Sequence, residues 1–106
     1  MLIAWTTLST REAGERLAQS VIEQRLATCV QTEGPVVSHF RWEGKIDRAE
    51  EFRLTFKCLP EQLPALERYV LAHHPYETPE WIVVQAERVS EKYLSWARKD
   101  VHSPPL

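Results

Sequence analysis

Two thiols and four imidazoles are the side chains in this sequence best suited to holding a soft or borderline metal ion, because thiolates favour Cu(I) and imidazoles favour Cu(II), zinc and nickel. A two-residue turn at Glu43-Gly44 pairs positions whose numbers sum to 87, which sets Cys29 opposite Cys58. Directly opposed Cβ atoms lie about 4.5–5.5 Å apart, close enough for both sulfurs to reach one ion. The same register opposes Phe56 to Gln31, however, and a bulge at Gly34-Pro35 slides the pairing by one residue and separates the thiols. Both registers stay open at this level. His73 and His74 are neighbours at a helix end, roughly 100° apart if both are helical, so they do not share an ion. His74 completes the candidate metal set of Cys29, Cys58 and His74, with a helix-capping role against the last carbonyls as the alternative. No C-x-x-C or H-x-x-x-H spacing marks a preformed zinc site.

A second constellation is polar. Glu51 and Lys57 are six residues apart, so on a strand they point to the same side as Arg53. Tyr76 and Glu77 sit on a loop held between Pro75 and Pro79, where function tends to reside. With Trp42 and Lys45 of a neighbouring subunit, these residues could line an inter-subunit cleft. The alternative is an interface salt-bridge network of Glu51, Lys57 and Glu77 with no ligand. Catalysis has little to stand on: the only aspartates are Asp47 and Asp100, and there is no G-x-S-x-G or P-loop motif. A thiol inside a buried strand has its pKa raised, which suits Cys29 poorly as a nucleophile. The chain is expected not to be an enzyme.

The 106 residues fit one domain, 1–106, with a core that needs no staple. Thirteen basic and fifteen acidic side chains leave a net charge of −2, which argues against a nucleic-acid partner. The longest apolar run, Trp81-Ile82-Val83-Val84, is too short for a bilayer, so no membrane partner is expected. Met1 opens no basic-apolar-small secretory pattern, and two cysteines make no disulfide framework, so a cytoplasmic location is expected with the thiols as core filler or ligands.

The elements that position these groups read in order. Met1 to Leu8 is a short buried strand. Ser9-Thr10-Arg11-Glu12 matches a capping box, with a hydroxyl at the cap and Glu12 three residues on. Ala13, Leu17, Val21 and Ile22 follow at helical spacing up to Leu26. Val36, Ser38, Phe40 and Trp42 alternate as a strand, and so do Phe52, Leu54, Phe56 and Cys58. Pro35 places the earlier strand at an edge. Leu63, Leu66, Tyr69, Val70 and His73 form a helical stripe that Pro75 ends at His74. Glu80 to Ala86 reads as a strand and Ser90 to Asp100 as a helix with Ser90 at its cap. The tail from 101 to 106 is expected to be loosely structured. This βαββαβ order with a C-terminal helix predicts an α+β fold: a ferredoxin-like sandwich whose antiparallel sheet carries both main helices on one face.

One length stands out. Continuous strands over Ala27–Trp42 and Lys45–Leu59 each span about 50 Å, while a small domain is about 30 Å across. Such a hairpin overhangs its own core and carries Phe40 and Trp42 into water. Exposed aromatic surface and open strand edges ordinarily mark an interface, so a homo-oligomer is expected. The alternative is that Gly34-Pro35 and Asp47-Arg48 break the arms and fold them back.

Five blocks, Ala27-Thr28-Cys29-Val30, Ser38 to Ile46, Glu51 to Lys57, His73-His74-Pro75-Tyr76-Glu77-Thr78-Pro79-Glu80 and Tyr93-Leu94-Ser95-Trp96, resemble the CutA divalent-cation tolerance proteins in the same order. The resemblance runs from Ile3 to about Arg98. It implies a PII-like homotrimer with a role in tolerance of copper and other divalent ions, and copper, or another divalent ion held weakly, as the bound metal. The similarity to PII trimers, which bind ligands between subunits, supports a cleft without naming its occupant; the alternative function is a signalling module that binds a small anionic ligand there through Lys57, Tyr76 and Glu77. Cys58 departs from the resemblance, since threonine is usual there, so a second thiol is particular to this chain.

Overall fold

Leu2–Leu8 forms β1, and its apolar sequence follows from its place in the sheet: in the order β2-β3-β1-β4 it has a neighbour on both sides. The computed structural model describes residues 1–102, in which the other elements are α1 (Arg11–Glu23), β2 (Cys29–Trp42), β3 (Lys45–Cys58), a 3₁₀ turn (Pro60–Gln62), α2 (Leu63–His73), β4 (Ile82–Gln85) and α3 (Glu91–His102). Every pairing is antiparallel. The α+β ferredoxin-like arrangement expected from the element order is the one observed, with Pro35 on the edge strand β2. The last helix runs to His102, so Val101 and His102 belong to it and not to a loose tail, and the rest of that expected tail lies outside the described residues.

The core lies between one sheet face and α1 with α2. Ala4, Leu8, Leu54, Phe56 and Cys58 alternate onto that face and are buried against Val21, Leu66 and Val70. Phe56 also meets the Trp81 ring at a centroid distance of 5.7 Å. Burying a side chain of this size fully is worth about 1.5–3 kcal/mol, so this cluster supplies most of the drive to fold. Thr10 caps α1, its hydroxyl accepting from the Ala13 amide at 3.1 Å. The cap is therefore one residue later than the Ser9 box predicts, and Glu12 falls inside the first turn, where a carboxylate suits the helix dipole. His74 has ψ 132°, extended as its position before Pro75 requires, and α2 stops at His73.

The long hairpin is real and continuous. Glu43 (φ 51°) and Gly44 (φ 78°) make a tight two-residue turn with both central residues left-handed, the form that matches strand twist. β3 passes unbroken through Asp47-Arg48, so the folded-back alternative does not occur. The longest dimension of the molecule is 47 Å against 30 Å and 22 Å for the others. Near the turn Trp42 pairs with Lys45, whose numbers sum to 87, but a register shift between Glu33 and Val36 brings Cys29 opposite Lys57. The bulge thus decides between the two registers left open by the sequence, and it parts the thiols.

Candidate functional site

β1 is only half covered by the short β4, which pairs with Leu2 to Trp5. The loop from His74 to Glu80 fills the gap along the rest of β1. His74 fastens it there: its Nε2 lies 2.9 Å from the Thr7 carbonyl oxygen and its Nδ1 accepts the Tyr76 amide at 3.1 Å. This pairing makes Nε2 the protonated nitrogen of a neutral ring. Burial lowers the His74 pKa, against smaller raising effects from the Thr7 hydrogen bond and the Glu51 charge. Helix capping falls instead to His73, whose Nδ1 is 2.8 Å from the Tyr69 carbonyl oxygen.

The loop carries Tyr76 to β3, where its hydroxyl donates to Glu51 Oε2 at 3.0 Å. Burial, then the Glu51 hydrogen bond and charge, push the Tyr76 phenol up to about 12. Glu51 lies on the sheet face away from α1 and α2, as do Ala49 and Asp47 by strand alternation. Their cross-strand partners are Val36, Ser38 and Phe40, with Trp42 beyond. Between this face of the hairpin and the loop is an open cavity of about 920 Å³.

Four of the six residues expected at the cleft, Trp42, Glu51, Tyr76 and Glu77, line this one cavity. Lys45 pairs with Trp42 at the hairpin tip but is not in its lining. Lys57 is elsewhere: six residues along β3 separate it from Glu51, about 20 Å. It sits opposite both Ile3 and Cys29, with its ammonium 5.9 Å from the centre of the Tyr93 ring. Within one chain Lys57 is therefore too far from Glu51 to pair with it, and the alternative Glu51-Lys57-Glu77 network is left to contacts between subunits. Phe40, Asp47 and Glu80, not among the cleft residues expected, also line the cavity. Phe40 and Asp47 were within reach of strand alternation, being in phase with Trp42 and Glu51. The approach of Glu80 was not, because it depends on how the loop docks.

The metal candidates disperse. Cys58 pairs with Leu2, is wholly buried on the helix side, and burial raises its thiol pKa to about 11. Cys29 is half-buried on the other face and hydrogen-bonds with the Tyr93 hydroxyl. His74 is fastened at Thr7, five residues and about 17 Å along β1 from the partner of Cys58. Within a chain the three therefore do not share an ion, and among the described residues no group of three or more His, Cys, Asp or Glu is placed to hold one.

Residues 2–100 match the model of the CutA1 divalent ion tolerance protein family. The chain belongs to that family. A CutA structure from Synechococcus elongatus superposes with a TM-score of 0.90 at 37% identity, covering 94% of this chain and 88% of that one. A structure described as the periplasmic divalent cation tolerance protein CutA from Archaeoglobus fulgidus gives 0.90 at 34% identity, covering 96% and 100%. The Yersinia pestis divalent-cation tolerance protein CutA is 34% identical over 95 residues, 90% of this chain and 80% of the relative. The chain spans about half the length of other relatives it matches: the chloroplastic protein CutA of Arabidopsis thaliana is 33% identical over 96% of this chain and 56% of its own. Family membership assigns no compartment, since these names include chloroplastic and periplasmic proteins. Among the described residues no helix is long and apolar enough to cross a membrane. The family description names a tolerance protein and not an enzyme.

Proposed function

We propose that this protein acts in tolerance of divalent metal ions as a non-enzymatic, cytoplasmic homotrimer that holds copper or a related ion weakly where subunits meet. The observation that carries the reading is the apolar surface exposed on the side of the sheet away from α1 and α2, with its overhanging hairpin. Phe40, Trp42, Ile82 and Val84 are 40–51% exposed on the face away from α1 and α2, and Ile46 is 77% exposed at the tip. Exposed large apolar side chains on one face are ordinarily covered by a partner, and the strand edges of the overhang call for pairing.

Assembly also answers the dispersal of the metal candidates. A single chain offers one half-buried thiol, Cys29, with no second soft donor beside it, so an ion needs donors from more than one copy. Cys29 is the proposed contact. Cys58 is too deep to join it, and His74 joins only by giving up its hold on Thr7 or on the Tyr76 amide. Supporting the reading are the family's description and the charge, too near neutral for a nucleic-acid role.

The test has two arms. Light scattering is expected to give three times the chain mass for the wild type and a smaller species for Trp42→Glu, since burying an unpaired carboxylate is costly. Titration with Cu(I) and Cu(II) is expected to show weaker binding in Cys29→Ser. A stable wild-type monomer overturns the assembly, and unchanged copper affinity in the variant overturns the thiol contact.

The acidic character of the cavity counts against the anionic-ligand reading. Its lining contributes four carboxylates and no lysine or arginine, with His39 as its one basic side chain, so an anion there would draw mainly on cations from another subunit.

A further inference from the structure

Cys29, Lys57, Ile3 and Val84 form one row across the sheet, each directly opposite the next. The row is on the face away from α1 and α2, at the end of β2 that lies about 40 Å from Trp42 and the overhanging tip. At this end α3 supplies the cover. Its Tyr93 ring centre is 5.9 Å from the Lys57 ammonium, and the Tyr93 hydroxyl shares a hydrogen bond with the Cys29 thiol. Trp96 packs against Tyr93 at a centroid distance of 5.5 Å. The cover belongs to the same chain, so it does not compete with the copy proposed to cover the hairpin.

The two sides of this contact are held with unequal firmness. Beside Cys29 on the strand side, the Thr28 amide and hydroxyl both donate to the Lys57 carbonyl oxygen, at 2.8 and 2.9 Å. The helix side is held by less. Among the described residues α3 gives nothing to the main core, Ala97 is its one buried side chain, and residues 86–90 leading into it form no helix or strand. An element with so little buried surface opens locally well before the whole fold does.

A soft ion takes the sulfur only after the thiol has lost its proton, and it needs an open approach to that atom. We propose that Tyr93 gates Cys29: α3 closes over the thiol, and an ion or a thiol reagent takes the sulfur only as the helix lifts. The gate rests on the thiol contact proposed above and adds its regulation. Linkage fixes the sign, because two events that oppose each other do so equally. Whatever loosens α3 tightens capture at Cys29, and capture at Cys29 loosens α3.

The experiment compares the wild-type assembly with Tyr93→Phe, which keeps the ring and removes only the hydroxyl. With methyl methanethiosulfonate the Cys29 thiolate attacks the sulfenyl sulfur, methanesulfinate leaves and the thiol proton goes to water. This reaction is expected to run about fivefold faster in the variant, the factor set by the net worth of one hydrogen bond, with oligomeric mass unchanged. In the wild type, methylthiolation of Cys29 is expected to quicken amide hydrogen exchange in α3 by about the same factor while the amides of β3 stay protected. Equal reaction rates overturn the gate, and so does α3 exchange that the modification leaves unmoved. Cu(I) is expected to bind about fivefold tighter to Tyr93→Phe; weaker binding makes Tyr93 a ligand and overturns the gate. Copper binding unaffected by Cys29→Ser overturns the metal reading alone, since the thiol and exchange measurements use no metal.

Discussion

The Tyr76 hydroxyl donates to the Glu51 carboxylate across 3.0 Å and so ties the only long loop of the described chain to the third strand of the sheet. Twenty-five residues separate the two in sequence. The bond is made at the mouth of the aromatic and acidic cavity, and it places both residues for whatever the cavity receives. With the phenol raised to about 12, an absorbance titration of tyrosine ionisation is expected to show one group lagging the others. In Glu51→Gln this group should titrate earlier, because the negative neighbour that opposes ionisation is gone. The sign for stability follows: the unfolded phenol ionises near 10 and the folded one near 12, so this contribution is present below pH 10 and is lost as pH rises from 10 to 12. A Glu51→Gln titration identical to wild type contradicts the bond.

His74 works in the opposite direction. Its folded pKa is lowered below the ordinary 6.5, so the unfolded chain takes up the proton first as pH falls. The stabilisation by the neutral ring is complete above pH 6.5 and declines below it. Protonation places a hydrogen on Nδ1, against the Tyr76 amide that now donates to it. The melting temperature is expected to drop between pH 6.5 and 5 in the wild type and to drop less in His74→Gln, which does not titrate. Above pH 7 the variant should be the less stable by about 1 kcal/mol, the usual net worth of a hydrogen bond. Parallel pH curves for the two proteins contradict the assignment.

The two cysteines should differ sharply in reactivity. Cys29 is half-buried, while Cys58 is fully buried with a pKa of about 11. A disulfide reagent at pH 8 is expected to modify Cys29 first and to reach Cys58 only on unfolding. Cys58→Ser should cost about 1–3 kcal/mol by leaving a hydroxyl in an apolar core, measured as a shift of the urea midpoint. Equal labelling rates contradict the placement of the thiols on opposite faces.

Gly34 supports the register shift. Its φ of +148° is a conformation that side chains rarely adopt, and an added Cβ would lie 2.8 Å from Phe52 Cδ1 and 3.0 Å from the Glu51 carbonyl oxygen. Gly34→Ala is expected to destabilise the fold by about 1–3 kcal/mol. Because the neighbour is Glu51, the same change should disturb the Tyr76 titration. A variant as stable as wild type contradicts this account of the bulge.

Periodicity within single elements was enough to determine much of this protein. The alternation of Phe52, Leu54, Phe56 and Cys58, the helical stripe through Leu66 and Val70, and the stop at His74-Pro75 all depend on neighbours in the chain, so they were legible in residue types alone. The excess length of the hairpin was legible too, because rise per residue is a local quantity. Five sequence blocks carried the family resemblance for the same reason: each is a run of adjacent residues.

What depended on one residue's difference in pairing was not. A single bulge at Gly34-Pro35 moved Cys29 from Cys58 to Lys57, since a one-residue slip in a strand reverses every face below it. Lys57 left the expected cleft because six residues of strand are a distance as well as a shared side. Glu80 entered the cavity, and His74 spent both ring nitrogens on Thr7 and Tyr76, because a loop docked along the uncovered half of β1. Those contacts join positions far apart in the chain, and only the folded arrangement of strands brings them within reach.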